Sequence, residues 1–309
     1  MKKRSKIKTG PYDSLRAYME AIERHGNVIT IKEIDQDNYE LAGLMYKLVD
    51  KNGWLGAPAV VVEKIKIDGR WMEGPVIVNQ YGLASHEAIA VGVPFEELSN
   101  YDQIANFKKA LKLVTDLGEI QPIKPLEIKR NQAPAKEVIL NGEDINVLDF
   151  PFLQSNPGDN GRFINTGNLV LIDPEKGRNV GTYRMQIKGP RKIGISPERK
   201  QHGWEFLMAM KKRGEKVANA AVVLGTDPIV FAMSSSKTAR LGQDELEIAG
   251  GFKGRPVEVV KCENSDITVP AHVEMIIEGE IPLNDMEEEG PFGEMYGYMG
   301  LPHEEQFYM

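Results

Sequence analysis

Alternating helix and strand patterns give way to mostly strand patterns between residues 120 and 136. Of all features of the sequence, this change limits the possible folds most. Before it, helix and strand patterns alternate: the amphipathic stretch DSLRAYMEAIERHGN is followed by the β-branched run VITIKEI, then by further helices and strands. The stretch IQPIKPLEIKRNQAPAK carries three prolines and little periodicity, which is typical of a linker. We therefore predict two domains, an N-terminal α/β domain over residues 1–125 and a second domain over residues 126–309.

The second domain is rich in strand patterns. LVLIDPEKGRNVGTYRMQ is typical of a hairpin, and HGWEFLMAMKKRG and a segment starting near Asp227 are predicted helices. Mostly antiparallel strands with few helices predict an α+β domain or an open barrel. The predicted strands are KEVILNG, FINTGNLVLID, NVGTYRMQIKG, NAAVVLG, RPVEVVKCE and AHVEMIIEGEI. The final QFYM reads as a strand that has barely begun, which suggests a fragment or a subunit completed by something else.

Composition excludes several classes of function. The 309 residues carry a net charge of −7, which disfavours binding to nucleic acid. No apolar run has the length of a membrane span, and the basic start MKKRSKIKTGPYDSLR lacks the apolar core of a signal peptide. We interpret that start as a solvated tail, in preference to a weak contact with an acidic surface. The single cysteine, Cys262, cannot form an internal disulfide or a zinc cluster; we expect it buried on a strand, in a cytoplasmic protein.

The run EEEGPFGEMYGYMG places two acids, Glu289 and Glu294, on either side of a GPFG spacer. The proline fixes one backbone angle and the glycines allow conformations closed to other residues. Two carboxylates held around such a turn can differ in protonation, as a group that transfers a proton requires. Glu287 and Glu288 are interpreted as ordinary surface acids.

The stretch NVGTYRMQ offers a second group of polar residues on a predicted strand. Alternation along the strand places Asn179 and Tyr183 on one face, and Thr182 and Arg184 on the other. The guanidinium of Arg184 can bind a carboxylate through two parallel hydrogen bonds. Taken alone, a surface arginine is the simpler interpretation.

Further polar groups lie at predicted helix starts and in a serine run. Gln201 and His202 begin a helix whose free N–H groups favour an anion, although a plain helix-start role is simpler for a lone histidine. The run SSSK at 234–237 is a plausible phosphate cradle or a solvated polar loop. The amide, imidazole and carboxylate of Asn179, His202 and Glu245 together suit Mg²⁺ or Mn²⁺ better than structural zinc.

At these residues the sequence resembles the UbiD-type decarboxylases, which use prenylated FMN. The resemblance runs from about Pro134 to Tyr298. EEEGPFGEMYGYMG is its most specific element. The other matching stretches are FINTGNLVLIDPEKGRNVGTYRMQ, KQHGWEFL, SSSKTARLGQDELEIAG, RPVEVVKC and VPAHVEMIIEGEI.

The resemblance implies a catalytic trio of Arg184, Glu289 and Glu294. In that arrangement Arg184 holds the substrate carboxylate, Glu289 orients Arg184, and Glu294 protonates the carbon that CO₂ leaves. The implied reaction is the reversible, non-oxidative decarboxylation of an aromatic or α,β-unsaturated acid, with carboxylation allowed at high CO₂. The implied fold is an α/β N-terminal domain followed by an α+β split β-barrel (flavin reductase-like) that binds the cofactor.

The resemblance also implies a metal site, a cofactor site and partners. The metal, Mn²⁺ or Mg²⁺ and often accompanied by K⁺, grips the cofactor phosphate through Asn179, His202 and Glu245. The SSS run leaves the register of the two serines open by one residue. The implied cofactor contacts are Thr166, Thr182, Tyr183, Gln201, His202, Ser235 and Ser236. Implied partners are the acid substrate and CO₂, a flavin prenyltransferase that supplies the cofactor, and further copies of the full-length chain.

The resemblance implies that family members continue into a C-terminal oligomerisation domain, which we expect to be missing from this chain. One alternative is therefore a non-catalytic or incomplete flavin-binding subunit that needs a partner chain. Another is a split-barrel flavin reductase that uses plain FMN and a nicotinamide, although no dinucleotide fingerprint follows a predicted strand.

Overall fold

The structure, a computed structural model, describes residues 9–294 and 297–309, apart from the side chain of Thr166. Within the described residues the helices are α1 (Leu15–His25), α2 (Glu40–Asn52), α3 (Ala84–Val91), α4 (Gln103–Asp116), α5 (His202–Lys212), α6 (Pro228–Ser235) and α7 (Glu245–Lys253). The strands are β1 (Val28–Asp35), β2 (Ala59–Ile67), β3 (Arg70–Val78), β4 (Leu126–Glu127), β5 (Phe163–Asp173), β6 (Gly177–Gly189), β7 (Lys192–Ile195), β8 (Val217–Leu224), β9 (Glu258–Lys261), β10 (Thr268–Pro270), β11 (Met275–Pro282), β12 (Glu287–Glu289) and β13 (His303–Tyr308). The architecture is mixed α/β.

The N-terminal part contains a three-stranded sheet in the order β1-β2-β3, in which β1 runs parallel to β2 and β3 antiparallel to it. The predicted first helix is confirmed as α1. Ser14 caps it by accepting a hydrogen bond from the first turn, and Gly26 follows its last residue with φ 103°. Tyr18 and Ile22 of α1 are fully buried in a cluster that includes Ala59 of the sheet.

The second part contains a seven-stranded sheet in the order β11-β8-β5-β6-β7-β13-β12. The predicted hairpin is confirmed: β5 and β6 pair antiparallel. Alternation sends Val170 and Val180 to a core shared with α6 and α7, and Leu169 and Leu171 to a second core shared with α5. The described strands form open sheets, and closure into a split barrel stays a prediction.

One local expectation was wrong, and two elements were not predicted. KEVILNG forms no strand, since its apolar residues face solvent (Val138 is 75% exposed) while Lys136 is buried between two glutamates. The stretch that begins at Glu245, for which no helix was predicted, forms helix α7, which Asp244 caps. The acidic stretch 287–289 forms strand β12 because β13 supplies its backbone partners.

The predicted linker is also partly structured. Leu126 and Glu127 within it form β4, which pairs in parallel with β9 at Glu258 and Val259. The second part therefore begins its sheet contacts inside the proline-rich stretch. The boundary between residues 125 and 126 stays a prediction.

The N-terminal part rests against the helices of the second part. Asp13 lies 2.9 Å from the ammonium of Lys253 on α7, and it also accepts hydrogen bonds from Arg255. The ring of Tyr81 stacks on that of Phe231 on α6, with centroids 5.3 Å apart. These contacts reach the two helices that carry the serine run and Glu245.

Two composition-based expectations meet the structure directly. Cys262 is buried, as predicted, but it lies just after β9 rather than on a strand, and burial raises the pKa of its thiol to about 12. Across residues 9–294 and 297–309, none of the helices is both long and apolar enough to cross a bilayer. Residues 1–8 of the basic start lie outside the described residues, so its solvated state stays a prediction.

Candidate active site

Arg184 and Glu289 form a two-point ion pair. The Nε of Arg184 on β6 donates to Oε1 of Glu289 at 2.9 Å, and its Nη2 donates to Oε2 at 2.8 Å. Glu289, the last residue of β12, is only 1% exposed. The hydrogen bond to Glu289 raises the pKa of the Arg184 guanidinium above its ordinary value. Pairing of this geometry fixes both side chains in one plane.

Glu294 contacts the same guanidinium in a different environment. Its Oε1 lies 3.3 Å from Nη1 of Arg184, and its side chain is 32% exposed. Its backbone N–H donates to the carbonyl of Tyr298, and the N–H of Gly293 donates to Asp159. The three residues of the predicted trio therefore lie together, with one acid buried and the other open to solvent.

The GPFG spacer makes contacts of its own. The ring of Phe292 lies 5.5 Å from Cζ of Arg184 and 4.8 Å from the ring of Phe163. A Cβ at Gly290 would lie 2.1 Å from Cβ of Asn160, so a larger residue does not fit there. The spacer thus packs against the guanidinium as well as separating the two acids.

Two polar residues beside Glu289, the half-buried Ser196 and the buried Gln306, were not predicted. The hydroxyl of Ser196 donates to Oε1 of Glu289 at 2.6 Å, and Nε2 of Gln306 donates to the Ser196 hydroxyl, also at 2.6 Å. Gln306 lies on β13, in the QFYM stretch that the sequence analysis interpreted only as a strand. Neither residue belongs to a pattern that signals a site.

Asn179, Glu245 and His202 converge beside the first half of β6. Nδ2 of Asn179 donates to Oε1 of Glu245 at 3.0 Å, and the N–H of Val180 donates to Oε2 at 2.8 Å. Nδ1 of His202 lies 3.7 Å from Oε1 of Glu245. Glu245 is the first residue of α7, and its burial raises the pKa of its carboxyl to about 7.

These three side chains fit a hard divalent cation. Oδ1 of Asn179 is buried and has no hydrogen-bond partner among the described residues, which leaves an amide oxygen available as a ligand. The described part of the chain contains no metal-binding cluster of three or more His, Cys, Asp or Glu. His202 and Glu245 supply two such side chains and Asn179 adds one amide, as suits Mn²⁺ or Mg²⁺ with a phosphate oxygen.

Tyr183 and Gln201 lie at the start of α5. The Tyr183 hydroxyl accepts a hydrogen bond from the N–H of Gly203 at 2.9 Å, and burial raises its pKa to about 12. Oε1 of Gln201, the residue before α5, accepts a hydrogen bond from the N–H of Glu198. The structure thus places the Tyr183 side chain under α5, away from Thr182.

Hydroxyl groups cluster on the face of β6 that carries Arg184. Oγ1 of Thr182 lies 2.9 Å from Oγ of Ser235 and 3.0 Å from Oγ of Ser234. Nδ2 of Asn168 donates to Thr182 at 2.7 Å and to Ser234 at 2.8 Å. Asn168, fully buried, was not predicted, and its position between two hydroxyl-bearing elements is visible only in three dimensions.

The other predicted cofactor residues fall elsewhere. The hydroxyl of Ser236 lies 2.8 Å from that of Thr238, away from Thr182, so the structure groups Ser234 and Ser235 rather than Ser235 and Ser236. Thr166 lies on β5, but its side chain is outside the described residues.

A cleft of about 530 Å³ opens beside Arg184, Ser196 and Glu289. Glu198 and Trp204 line it from the α5 side. A larger cleft of about 820 Å³ lies between the N-terminal part and the second part, and Phe163 lines it. The smaller cleft gives a small molecule direct access to the guanidinium.

Residues 126–309, more than half of the chain, match the family described as "UbiD: 3-octaprenyl-4-hydroxybenzoate carboxy-lyase Rift-related domain". The chain therefore belongs to the UbiD family of carboxy-lyases. Among its relatives, the phenolic acid decarboxylase of Escherichia coli O157:H7 is 30% identical over 295 residues, which cover 93% of this chain and 58% of the relative.

Solved structures of the same class share the fold. The closed form of vanillic acid decarboxylase from Sedimentibacter hydroxybenzoicus superposes with a TM-score of 0.84 at 27% identity, covering 96% of this chain and 60% of the other. An evolved dimeric form of the UbiD-class enzyme HmfF from Pelotomaculum thermopropionicum, in complex with prFMN, gives 0.78 at 30% identity, covering 96% and 64%. This chain thus spans about three fifths of the length of the proteins it matches.

Proposed function

We propose that this chain forms the cofactor-binding and catalytic part of a prenylated-FMN-dependent decarboxylase of aromatic or α,β-unsaturated carboxylic acids. The observation that carries the proposal is the guanidinium of Arg184 between a buried and an open carboxylate. Membership of a carboxy-lyase family and relatives named phenolic acid decarboxylases support it.

Arg184 binds the substrate carboxylate. Its contacts with Glu289 and Glu294 use three of its five N–H groups, which leaves one on each terminal nitrogen. Charge-assisted bonds from these two groups hold a carboxylate in a defined plane. Glu289 keeps the guanidinium in place while the substrate enters and CO₂ leaves.

Glu294 supplies the proton. The bond between the ring or alkene carbon and the carboxyl carbon breaks, CO₂ leaves, and the proton of Glu294 forms the new C–H bond. Because this side chain is 32% exposed, it can regain a proton from water. The reverse sequence is carboxylation, with Glu294 as the base.

Prenylated FMN, when bound, supplies an electrophilic ring that accepts the electron pair released with CO₂. Asn179, His202 and Glu245 would hold Mn²⁺ or Mg²⁺, with K⁺ nearby, against the cofactor phosphate. The proposed contacts to the cofactor are Thr166, Thr182, Tyr183, Gln201, His202, Ser235 and Ser236. The hydroxyl cluster around Thr182 supports Thr182 and Ser235 in this assignment and adds Ser234 to it.

The proposal extends to partners and location. A flavin prenyltransferase supplies the cofactor, the full-length protein is a homo-oligomer, and the site of action is the cytoplasm. The second domain is a split barrel. Acids with phenolic rings are the first substrates to test, since relatives are named for them.

The test is to load the 309-residue chain with prenylated FMN and Mn²⁺ and to measure CO₂ release from vanillic acid. We expect Glu294→Gln to lower the rate by roughly 100-fold or more, since a positioned general acid contributes that much. Glu288→Gln, which alters an exposed acid on the same strand as Glu289, should leave the rate unchanged. Equal rates for wild type and Glu294→Gln would remove Glu294 from its role.

A second candidate is an incomplete flavin-binding subunit, favoured by the fraction of its relatives that the chain spans. Turnover by the chain alone would exclude it. Turnover only after a partner chain is added would support it. The mass of the cofactor released on denaturation distinguishes prenylated from ordinary FMN, and so tests the flavin reductase alternative.

A further inference from the structure

Besides Arg184, Glu289 is held by Ser196, and Ser196 in turn is held by Gln306. A carboxylate bound to a guanidinium can only accept, so the Ser196 hydroxyl must donate its proton to Oε1 of Glu289. The lone pair of Ser196 is then free to accept from Nε2 of Gln306. The two 2.6 Å contacts therefore run in one direction, from Gln306 through Ser196 to Glu289.

Gln306, where this chain of hydrogen bonds begins, carries an unfavourable buried polar atom. Gln306 is 1% exposed, and its Oε1 is buried without a hydrogen-bond partner among the described residues. A buried polar atom left unpaired is unfavourable, so the amide is not there for stability alone. The neighbouring strand makes room for it: a Cβ at Gly194 would lie 2.0 Å from that same oxygen.

The Ser196 hydroxyl donates to the same Glu289 oxygen, Oε1, that accepts a hydrogen bond from Arg184. Oε1 of Glu289 accepts from both Ser196 and Nε of Arg184, while Oε2 accepts from Nη2. Rotation of the carboxylate out of this plane would break the Ser196 bond and misalign both guanidinium bonds. The side chains of Ser196 and Gln306 therefore help to set the orientation of the Arg184 guanidinium through Glu289, and the backbone N–H of Ser196 also donates to the Arg184 carbonyl at 3.3 Å.

We propose that Ser196 and Gln306 are positioning residues, which fix the plane of the Glu289 carboxylate and so direct the free edge of Arg184 toward Glu294 and the cleft. The consequence for substrate binding rests on the proposed function. The orientation of Arg184 does not, and it can be measured without cofactor or substrate.

The test follows the Nε–Hε group of Arg184 by ¹⁵N–¹H NMR of the 309-residue chain, with its signal identified by its loss in Arg184→Lys. We expect Ser196→Ala to speed exchange of this proton with water by roughly tenfold or more, as loss of a charge-assisted hydrogen bond should. Ser196→Thr, which keeps the hydroxyl, should restore slow exchange. Ser265→Ala, the same change in a distant loop, should have no effect.

Two further variants act on Gln306 without changing Ser196. Gln306→Met removes the donor at similar volume, and Gly194→Ala pushes the amide aside. Both should speed the same exchange, severalfold. They decide the question if Ser196→Ala does not fold. Wild-type exchange in all the folded variants, even with a lowered melting temperature, would show that the pair is merely structural and would overturn the inference.

The loaded enzyme gives a separate readout. Ser196→Ala should raise KM for the acid about tenfold and change kcat less, because a misaligned guanidinium binds the carboxylate poorly. An unchanged KM together with faster Hε exchange would overturn the substrate part alone. If no acid is turned over by any form, the proposed function fails while the NMR result still decides the positioning role.

Discussion

Arg184 and Glu289 meet although three strand-to-strand steps separate their strands. In the seven-stranded sheet, β7 and β13 lie between β6 and β12. Adjacent strands are about 4.8 Å apart, so a flat sheet would hold β6 and β12 about 14 Å from each other. The two long side chains bridge this separation and meet at 2.8 and 2.9 Å, so the ion pair joins two strands of the sheet that are not neighbours.

The two ion-pair contacts of Arg184, with the buried Glu289 and the partly exposed Glu294, should contribute unequally to the free energy of unfolding. Arg184→Met leaves Glu289, which is 1% exposed, as a buried carboxylate without its cation, and should lower the free energy of unfolding by about 3 kcal/mol. Glu294→Gln alters a 32% exposed side chain with one 3.3 Å contact and should cost less than ~1 kcal/mol. Urea unfolding of both variants measures the difference. Equal losses would contradict the unequal environments.

Metal binding should depend on the protonation of Glu245. Burial raises the pKa of this carboxyl to about 7, and a metal binds its ionised form. Mn²⁺ affinity should therefore rise about tenfold from pH 5.5 to pH 6.5 and level off above pH 7.5. Calorimetry of the metal-free chain measures this. Glu245→Gln should abolish binding and Glu247→Gln, on the same helix, should not; a flat profile would argue against Glu245 as a ligand.

Two glycines of β6 should respond differently to alanine. A Cβ at Gly181 would lie 2.4 Å from the hydroxyl of Tyr183, which is buried and bonded to the start of α5, whereas a Cβ at Gly189 meets nothing within 4 Å. Gly181→Ala should cost about 1–3 kcal/mol and weaken Mn²⁺ binding, because it displaces the helix that carries His202. Gly189→Ala should change stability by less than ~0.5 kcal/mol. Thermal unfolding and metal titration of the pair test this.

Acid should destabilise the N-terminal part through His86. Burial lowers the pKa of this fully buried imidazole to about 4, below its ordinary 6.5. The unfolded chain therefore takes up a proton that the folded chain refuses, and the stability present above pH 6.5 is lost as the pH falls toward 4, by about 3 kcal/mol in all. Urea unfolding at pH 7.5 and pH 5 should show a smaller pH effect in His86→Leu than in wild type. His303→Gln, an exposed change, should behave as wild type.

The sequence predicted those parts of the fold that follow from local periodicity. The alternation in β6 placed Arg184 and Thr182 on one face correctly, and the capped helix α1 was found from its pattern. Helix α7 was missed because DELEIAGG is short and rich in acids and glycines, while its stability comes from packing against β6. The strand β12 was missed because its partner lies beyond the acidic turn.

The candidate site likewise contains residues that the sequence predicted and residues that it did not. Arg184 and the two glutamates were singled out because a stiff spacer and a family resemblance mark them in the sequence. Ser196, Gln306 and Asn168 carry no such mark, since a serine or an amide gains its meaning only from the group it faces. Such residues are found from distances and burial, never from spacing along the chain.

The topology of β13 has a practical consequence for anyone shortening this chain. Among the described residues, β12 joins the large sheet only through β13, which pairs with β12 on one side and β7 on the other. A product trimmed after residue 302 would retain Arg184, both acids and all three proposed metal ligands. It would nevertheless leave Glu289 without the strand that anchors it. A trimmed product can therefore keep every residue of the site and still lose the site's geometry.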